Sequence, residues 1–252
     1  MPFVLAPNLW SKLSYSKKDS NLTERAHGDG IKVSSESPEA FEEVFWMTFH
    51  QDEKNTEEKF KHYVQLINQR YKKKRYLSKN NQNIRRLELI SNTFPNSTII
   101  IPFRDPMQHA YSLLYQHQKF IEDSKKDKFI SNYMKWIGHT EFGPNYIPIY
   151  NKDLCFKNDI DINHWLEQWY LTYLQCYEAL RNKENVYFIC YEQLCSSKEY
   201  WTDILQILDI RKMYDFEFKE SQKVISLKVD DGICSRGFSL YAELSKVKIR
   251  NE

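Results

Sequence analysis

The stretch Ser97-Thr98-Ile99-Ile100-Ile101-Pro102-Phe103-Arg104-Asp105-Pro106 decides the fold class. A short apolar run rich in β-branched residues suits a strand buried in a parallel sheet, where both faces are covered. The run then ends sharply. Asp105 has the side chain of a helix N-cap, and Pro106 has the fixed φ of a first helical position. A strand that feeds straight into a helix is the building unit of α/β proteins.

Outward from this stretch the pattern repeats. A helix is expected over 106–120, an irregular Gly- and Pro-containing stretch over 138–158, a long aromatic helix over 162–181, and a second strand at Val186-Tyr187-Phe188-Ile189-Cys190. Upstream, Ser37-Pro38-Glu39 has the order of an N-cap, a first-turn proline and a first-turn acid. It opens a helix over 38–50 that carries Phe41, Val44, Phe45 and Phe49. A second helix is expected over 56–71, a short strand at Tyr76-Leu77-Ser78-Lys79, and a helix over 83–93 that Pro95 closes. Strands alternating with helices predict one α/β domain spanning residues 1–252, with no internal repeat.

Bulk composition excludes several classes. The chain has 252 residues, of which 41% are hydrophobic and 28% charged, as in a globular core-forming protein. Its formal net charge of +2 supplies no whole-surface field for nucleic acid or membrane, so any anion site must be local. The five cysteines include no C-x-x-C pair, which points away from a zinc site or disulfide framework and toward a reducing, cytoplasmic setting. No run of 18 apolar residues occurs, and the opening lacks the form of a secretory signal.

The chemistry concentrates after the apolar strand. Arg104 emerges at the strand's C-terminal end, the usual ligand edge of a parallel sheet, where a guanidinium can hold a phosphate with two donors. Backbone N–H groups at the start of the next helix favour the same anion, and Ser112 adds a hydroxyl two turns on. The same residues also fit a plain turn with a surface arginine, and spacing does not separate the two readings. His109 and His117 share this helix without an acidic partner pattern, so no metal is expected. His139 lies in the irregular stretch and suits either an acceptor pocket or a structural role. Trp165, Trp169, Tyr170 and Tyr173 form a helical stripe that reads as core.

A resemblance separates the readings of Arg104. Lys79-Asn80-Asn81, then Phe94-Pro95, then Ile99-Ile100-Ile101-Pro102-Phe103-Arg104-Asp105-Pro106 and Ser112-Leu113 resemble the central motif of sulfotransferases that use 3'-phosphoadenosine 5'-phosphosulfate (PAPS). Val186 to Cys190, followed by Tyr191-Glu192-Gln193-Leu194, is similar to that family's strand ending in Tyr-Glu-Asp-Leu, although a strand-to-helix junction explains the same pattern. The resemblance covers about residues 70 to 210. It implies a P-loop NTPase-like parallel sheet flanked by helices, with PAPS as co-substrate, no metal, and a small-molecule or glycan acceptor carrying a hydroxyl or amine. It further implies that Arg104 and Ser112 bind the 3'-phosphate, that Tyr191 lies beside the adenine, and that Lys79 approaches the transferred sulfuryl group. Ser235-Arg236-Gly237 is similar to the family's Arg-Gly segment, which makes Arg236 a further 3'-phosphate candidate. Asn81 stands where cytosolic members carry a catalytic histidine, and an amide cannot serve as a base.

The resemblance also sets an expectation of loss. No Gly/Ser/Thr-rich strand–loop–helix precedes Lys79, and the glycine-containing stretch 26–30 reads as a turn. The phosphate loop is therefore expected to be missing together with its strand, and Met1 to be an internal methionine. That leaves two readings, a PAPS-dependent sulfotransferase or a non-catalytic remnant that keeps the 3'-phosphate half-site. A nucleotide kinase is disfavoured because the sequence contains no G-x-x-x-x-G-K-[ST] loop. Glu24, His27, Asp29 and Glu36 are the local base candidates, each with a plain surface reading beside it.

Overall fold

A computed structural model describes residues 23–24, 32–33, 42–49, 55–211, 217–221 and 223–247. The cap at 37–39, the stretch 26–30, and the side chains of Glu24, His27, Asp29 and Glu36 lie outside the described residues. The chain divides into two compact units, Met1–Ala40 and Phe41–Glu252. In the first, β1 (Thr23–Glu24) and β2 (Lys32–Val33) form an antiparallel pair.

The second unit is built around two parallel strands, β3 (Ile99–Phe103) and β4 (Val186–Cys190). Their register aligns Ile99 with Val186 and Phe103 with Cys190, so both strands end at the same level. The helices before β3 are α1 (Glu42–Phe49), α2 (Thr56–Tyr71) and α3 (Leu87–Thr93). Between the strands run α4 (Pro106–Lys126), α5 (Lys128–Trp136) and α6 (Ile162–Leu180). After β4 come α7 (Tyr191–Ser196), α8 (Lys198–Ile207) and α9 (Asp231–Leu244).

Local sequence explains most of these boundaries. Asp105 caps α4 by accepting the Gln108 N–H at 2.8 Å, with Pro106 in the first turn. Asp127 ends α4 and caps α5 through the Phe129 N–H, which divides one long helical stretch in two. Asp161 and Asp230 cap α6 and α9 in the same way.

Two expectations change. Residues 76–79 form no strand, because among the described residues no β partner lies beside them; Tyr76 is instead bonded to α1. The helix expected over 83–93 is a 3-10 turn, Asn81–Arg85, followed by α3, broken where Arg86 takes φ −134. The Asn80 side chain accepts the Gln82 N–H and starts the tighter turn early.

The core lies where β3, β4, α6 and α9 meet. Ile99, Ile101 and Phe103 pack with Phe188, Trp169, Tyr173, Leu240 and Leu244. A second cluster joins α4 to α6 through Ala110, Leu114, Trp165 and Leu166, with Ile233 from α9. Each fully buried Leu, Ile or Phe among them stabilises the fold by about 1.5–3 kcal/mol. The indole stripe of α6 is therefore largely core, as its spacing predicts.

Candidate functional site

In parallel α/β sheets ligands occupy the crevice outside the carboxyl ends of the strands, and β3 and β4 end together. Arg104 and Tyr191 are the first residues beyond β3 and β4, so the register places them side by side. Beneath them Glu192 acts as a strut: its Oε1 accepts the Asp105 N–H at 2.9 Å and its Oε2 accepts the Tyr241 hydroxyl at 3.0 Å. Arg104 is partly buried and donates through Nη2 to the Gln108 carbonyl at 3.3 Å. Burial pulls its pKa down against the fields of Glu192, Tyr173, Tyr191 and Asp105, yet a guanidinium stays charged in proteins. The strand-end crevice thus holds a fixed, partly desolvated cation.

Lys79 sits in an extended segment held from α1 by two carboxylates. Buried Glu42 accepts from the Tyr76 hydroxyl and from Asn83 Nδ2, both at 2.6 Å. Glu43 accepts from Asn80 Nδ2 at 2.8 Å and binds Arg86 in a two-pronged ion pair at 2.7 and 2.9 Å. Arg86 also lies over the Trp46 ring, 4.8 Å from its centre. The backbone on both sides of Lys79 is fixed, while its own side chain is exposed.

Lys79 lines a cavity of about 1110 Å³. The same cavity is walled by β3, by Trp165 and Trp169 of α6, and by Glu141 of the irregular stretch. Gln82 ties that stretch to the Lys79 segment, donating to Thr140 Oγ1 at 2.8 Å. Gly138 makes the approach possible: its φ is +71, and a Cβ there would come within 2.6 Å of Glu43. Glu141 Oε2 lies 2.9 Å from His139 Nδ1. Burial raises the Glu141 pKa, but bonding to His139, the field of His139, a backbone N–H and Gln82 together bring it below the ordinary carboxylate range.

Cavity and crevice share a wall. His109 lines the cavity, and burial with the field of Arg104 pushes its pKa down to about 3. Its Nδ1 is buried without a hydrogen bond. Tyr173, also on the cavity wall, donates to the Pro102 carbonyl at 2.8 Å and feels the Arg104 charge.

A model described as the sulfotransferase family matches residues 9–143, more than half of the chain. The chain belongs to the sulfotransferase family. No curated protein and no solved structure gives a significant match to it. For this sulfotransferase-family chain the matched span includes Lys79, Arg104, Ser112 and Glu141 and ends before Tyr191 and Arg236. It begins well upstream of residue 70, where the motif resemblance starts. The α/β architecture with a parallel strand pair is compatible with a sulfotransferase fold.

The expected site residues fall into two groups. Arg104 and Tyr191 flank the crevice, and Ser112 lies two turns along α4 on the stripe that Arg104 and Gln108 begin. Lys79 stands on the cavity side. Arg236 lies on α9, 5.4 Å from the Tyr170 ring, next to Gly237, where a Cβ would sit 3.6 Å from Pro106. No group of three or more His, Cys, Asp or Glu side chains among the described residues is arranged to hold a metal ion. No described helix is long and apolar enough to cross a membrane.

Sequence reasoning missed Glu192 as a strut and Glu141 as a cavity residue. For Glu192 the signal was its place directly after Tyr191. For Glu141 the signal was the neighbouring His139.

Proposed function

We infer that this chain transfers a sulfuryl group from PAPS to a hydroxyl or amine of a small-molecule or glycan acceptor. The observation that carries the reading is the alignment of Arg104 with Tyr191 at the ends of two parallel strands, in a chain of sulfotransferase family. The residues of the crevice suit the 3'-phosphoadenosine end of the donor. Arg104 offers a two-donor fork to the 3'-phosphate, Ser112 adds a hydroxyl, Tyr191 offers a ring beside the adenine, and Arg236 is a further candidate for the 3'-phosphate.

The sulfuryl end of the donor reaches past His109 and Tyr173 into the cavity, which takes the acceptor. Its volume and its indole lining suit an aromatic or sugar ring. Glu141 accepts the proton of the acceptor hydroxyl as its oxygen bonds to sulfur, and the bond from sulfur to the phosphate oxygen breaks. Lys79 stabilises the negative charge that grows on that departing oxygen. The products are the sulfated acceptor and 3'-phosphoadenosine 5'-phosphate.

The test uses PAPS labelled in the sulfuryl group, with 2-naphthol, glucosamine and a tyrosine peptide as acceptor probes. Labelled product is expected with at least one probe, falling more than about tenfold in Lys79→Ala. Binding of the nucleotide without transfer to any probe would remove the transferase half of the reading.

A further inference from the structure

A segment distant in sequence spans from Tyr191 to Gln108 beside the crevice. Residues 217–221 and 223 lie in a chain without regular structure between α8 and α9. The Lys219 carbonyl accepts the Tyr191 hydroxyl at 2.8 Å. Farther on, Gln108 of α4 grips the segment at three points. Its Nε2 donates to the Lys223 carbonyl at 2.9 Å, and its Oε1 accepts from the Ser221 hydroxyl at 3.0 Å and the Lys223 N–H at 3.3 Å. Phe218 packs edge-on against Trp201 of α8, 5.4 Å between ring centres. The segment is a strap tied at one end to the residue after β4 and at the other to the first turn of α4.

Helical spacing gives the strap its meaning. Gln108, Tyr111, Ser112 and Tyr115 stand at i, i+3, i+4 and i+7, on one face of α4, and Arg104 precedes that face by one turn. The Lys223 ammonium lies over this face, 5.7 Å from the Tyr111 ring and 5.4 Å from the Tyr115 ring. Those two rings flank Ser112. The strap therefore brings a second cation, remote in sequence, to the stripe that carries both Arg104 and Ser112.

We propose that Lys223 is a specificity-determining residue for the 3'-phosphate, delivered to the Arg104–Ser112 stripe by the strap. The inference rests on the nucleotide reading of the crevice. A charge-assisted hydrogen bond to a phosphate is stronger than the contact of an exposed ammonium with an aromatic ring. Lys223 leaves the rings for the phosphate when the nucleotide binds, and the Gln108 grip holds its backbone within reach. Two cations from separate elements then neutralise one dianion. A nucleotide without the 3'-phosphate gains nothing from Lys223. Lys219 is tied to Tyr191 by its carbonyl and has no such place on the α4 face.

Calorimetric titration of the full chain with 3'-phosphoadenosine 5'-phosphate and with adenosine 5'-phosphate tests this. Lys223→Gln is expected to weaken the first ligand about tenfold and leave the second unchanged, while Lys223→Arg keeps the preference and Lys219→Gln affects neither. Equal weakening of both ligands in Lys223→Gln would make the strap merely structural, and no weakening would remove Lys223 from the site; either result overturns the proposal. The same loss in Lys219→Gln would overturn it too, as general strap charge. If Lys223→Gln changes nothing while Arg104→Ala abolishes the preference, the crevice reading stands and only the strap inference falls. A wild-type chain that does not discriminate the two ligands overturns both.

Discussion

The Glu192 carboxylate accepts the backbone N–H of Asp105 at 2.9 Å, a bond between residues 87 positions apart that ties the turn after β3 to the turn after β4. The same carboxylate accepts from Tyr241 of α9, so three elements converge on one side chain. Replacing Glu192 by Ala leaves the part-buried Asp105 N–H without its acceptor and leaves the Tyr241 hydroxyl only the Cys190 sulfur, at 3.5 Å. The expected loss is about 2–3 kcal/mol. Urea unfolding reads it as a lower midpoint with an unchanged slope, and Glu192→Gln, which keeps one acceptor, should lose less. An unchanged midpoint in Glu192→Ala would show that the strut contributes nothing.

Arg86 and Glu43 form an ion pair whose side chains are only 9% and 15% exposed. Removing one partner of such a pair strands the other, at a cost of about 3–5 kcal/mol for full burial and less here. Arg86→Ala is expected to lower stability by about 2–3 kcal/mol and to raise hydrogen exchange around Asn80 to Gln82, because Glu43 also holds Asn80. Local exchange that matches the wild type would separate the ion pair from the Lys79 segment.

Acid should destabilise the fold through His109. Its pKa falls from the ordinary 6.5 to about 3 in the folded chain. Between these values the unfolded chain binds the extra proton, so the stability due to neutral His109 is present above 6.5 and is lost as pH falls toward 3. The slope reaches about 1.4 kcal/mol per pH unit for one group. Unfolding series at stepped pH should show this slope reduced in His109→Gln, and equal slopes in the two proteins would contradict the assignment.

The cysteines should label in order of access. Cys155 is exposed, whereas Cys176 and Cys190 are buried, and burial pushes the Cys176 thiol up to about 12. An alkylating reagent at neutral pH is expected to modify Cys155 first and to reach Cys176 only on unfolding. Early mass-spectrometric modification at Cys176 would contradict the packing of α6 on the sheet.

What could be read from the sequence was local. The isoleucine run of β3, the Asp105–Pro106 helix start and the aromatic stripe of α6 are written in neighbouring residues, and the structure keeps each. The short strand at 76–79 failed because strand formation depends on a partner, which a local pattern does not reveal. The long helix over 83–93 failed because the Asn80 side chain competes for the backbone N–H of Gln82. The contacts that organise the site are distant ones: Glu192 to Asp105, Gln82 to Thr140 across 58 positions, and Gln108 to Lys223 across 115. Residue spacing along one helix exposes the stripe from Arg104 to Tyr115, yet nothing local marks the strap that covers it.

Calorimetric titration of the chain and of Arg104→Ala with 3'-phosphoadenosine 5'-phosphate decides whether the strand-end crevice holds the nucleotide. Saturable binding by the wild type is expected, weakened more than about tenfold when the guanidinium is removed. Equal binding by both proteins, or none by a folded wild type, would contradict the assignment of the strand-end crevice to the nucleotide.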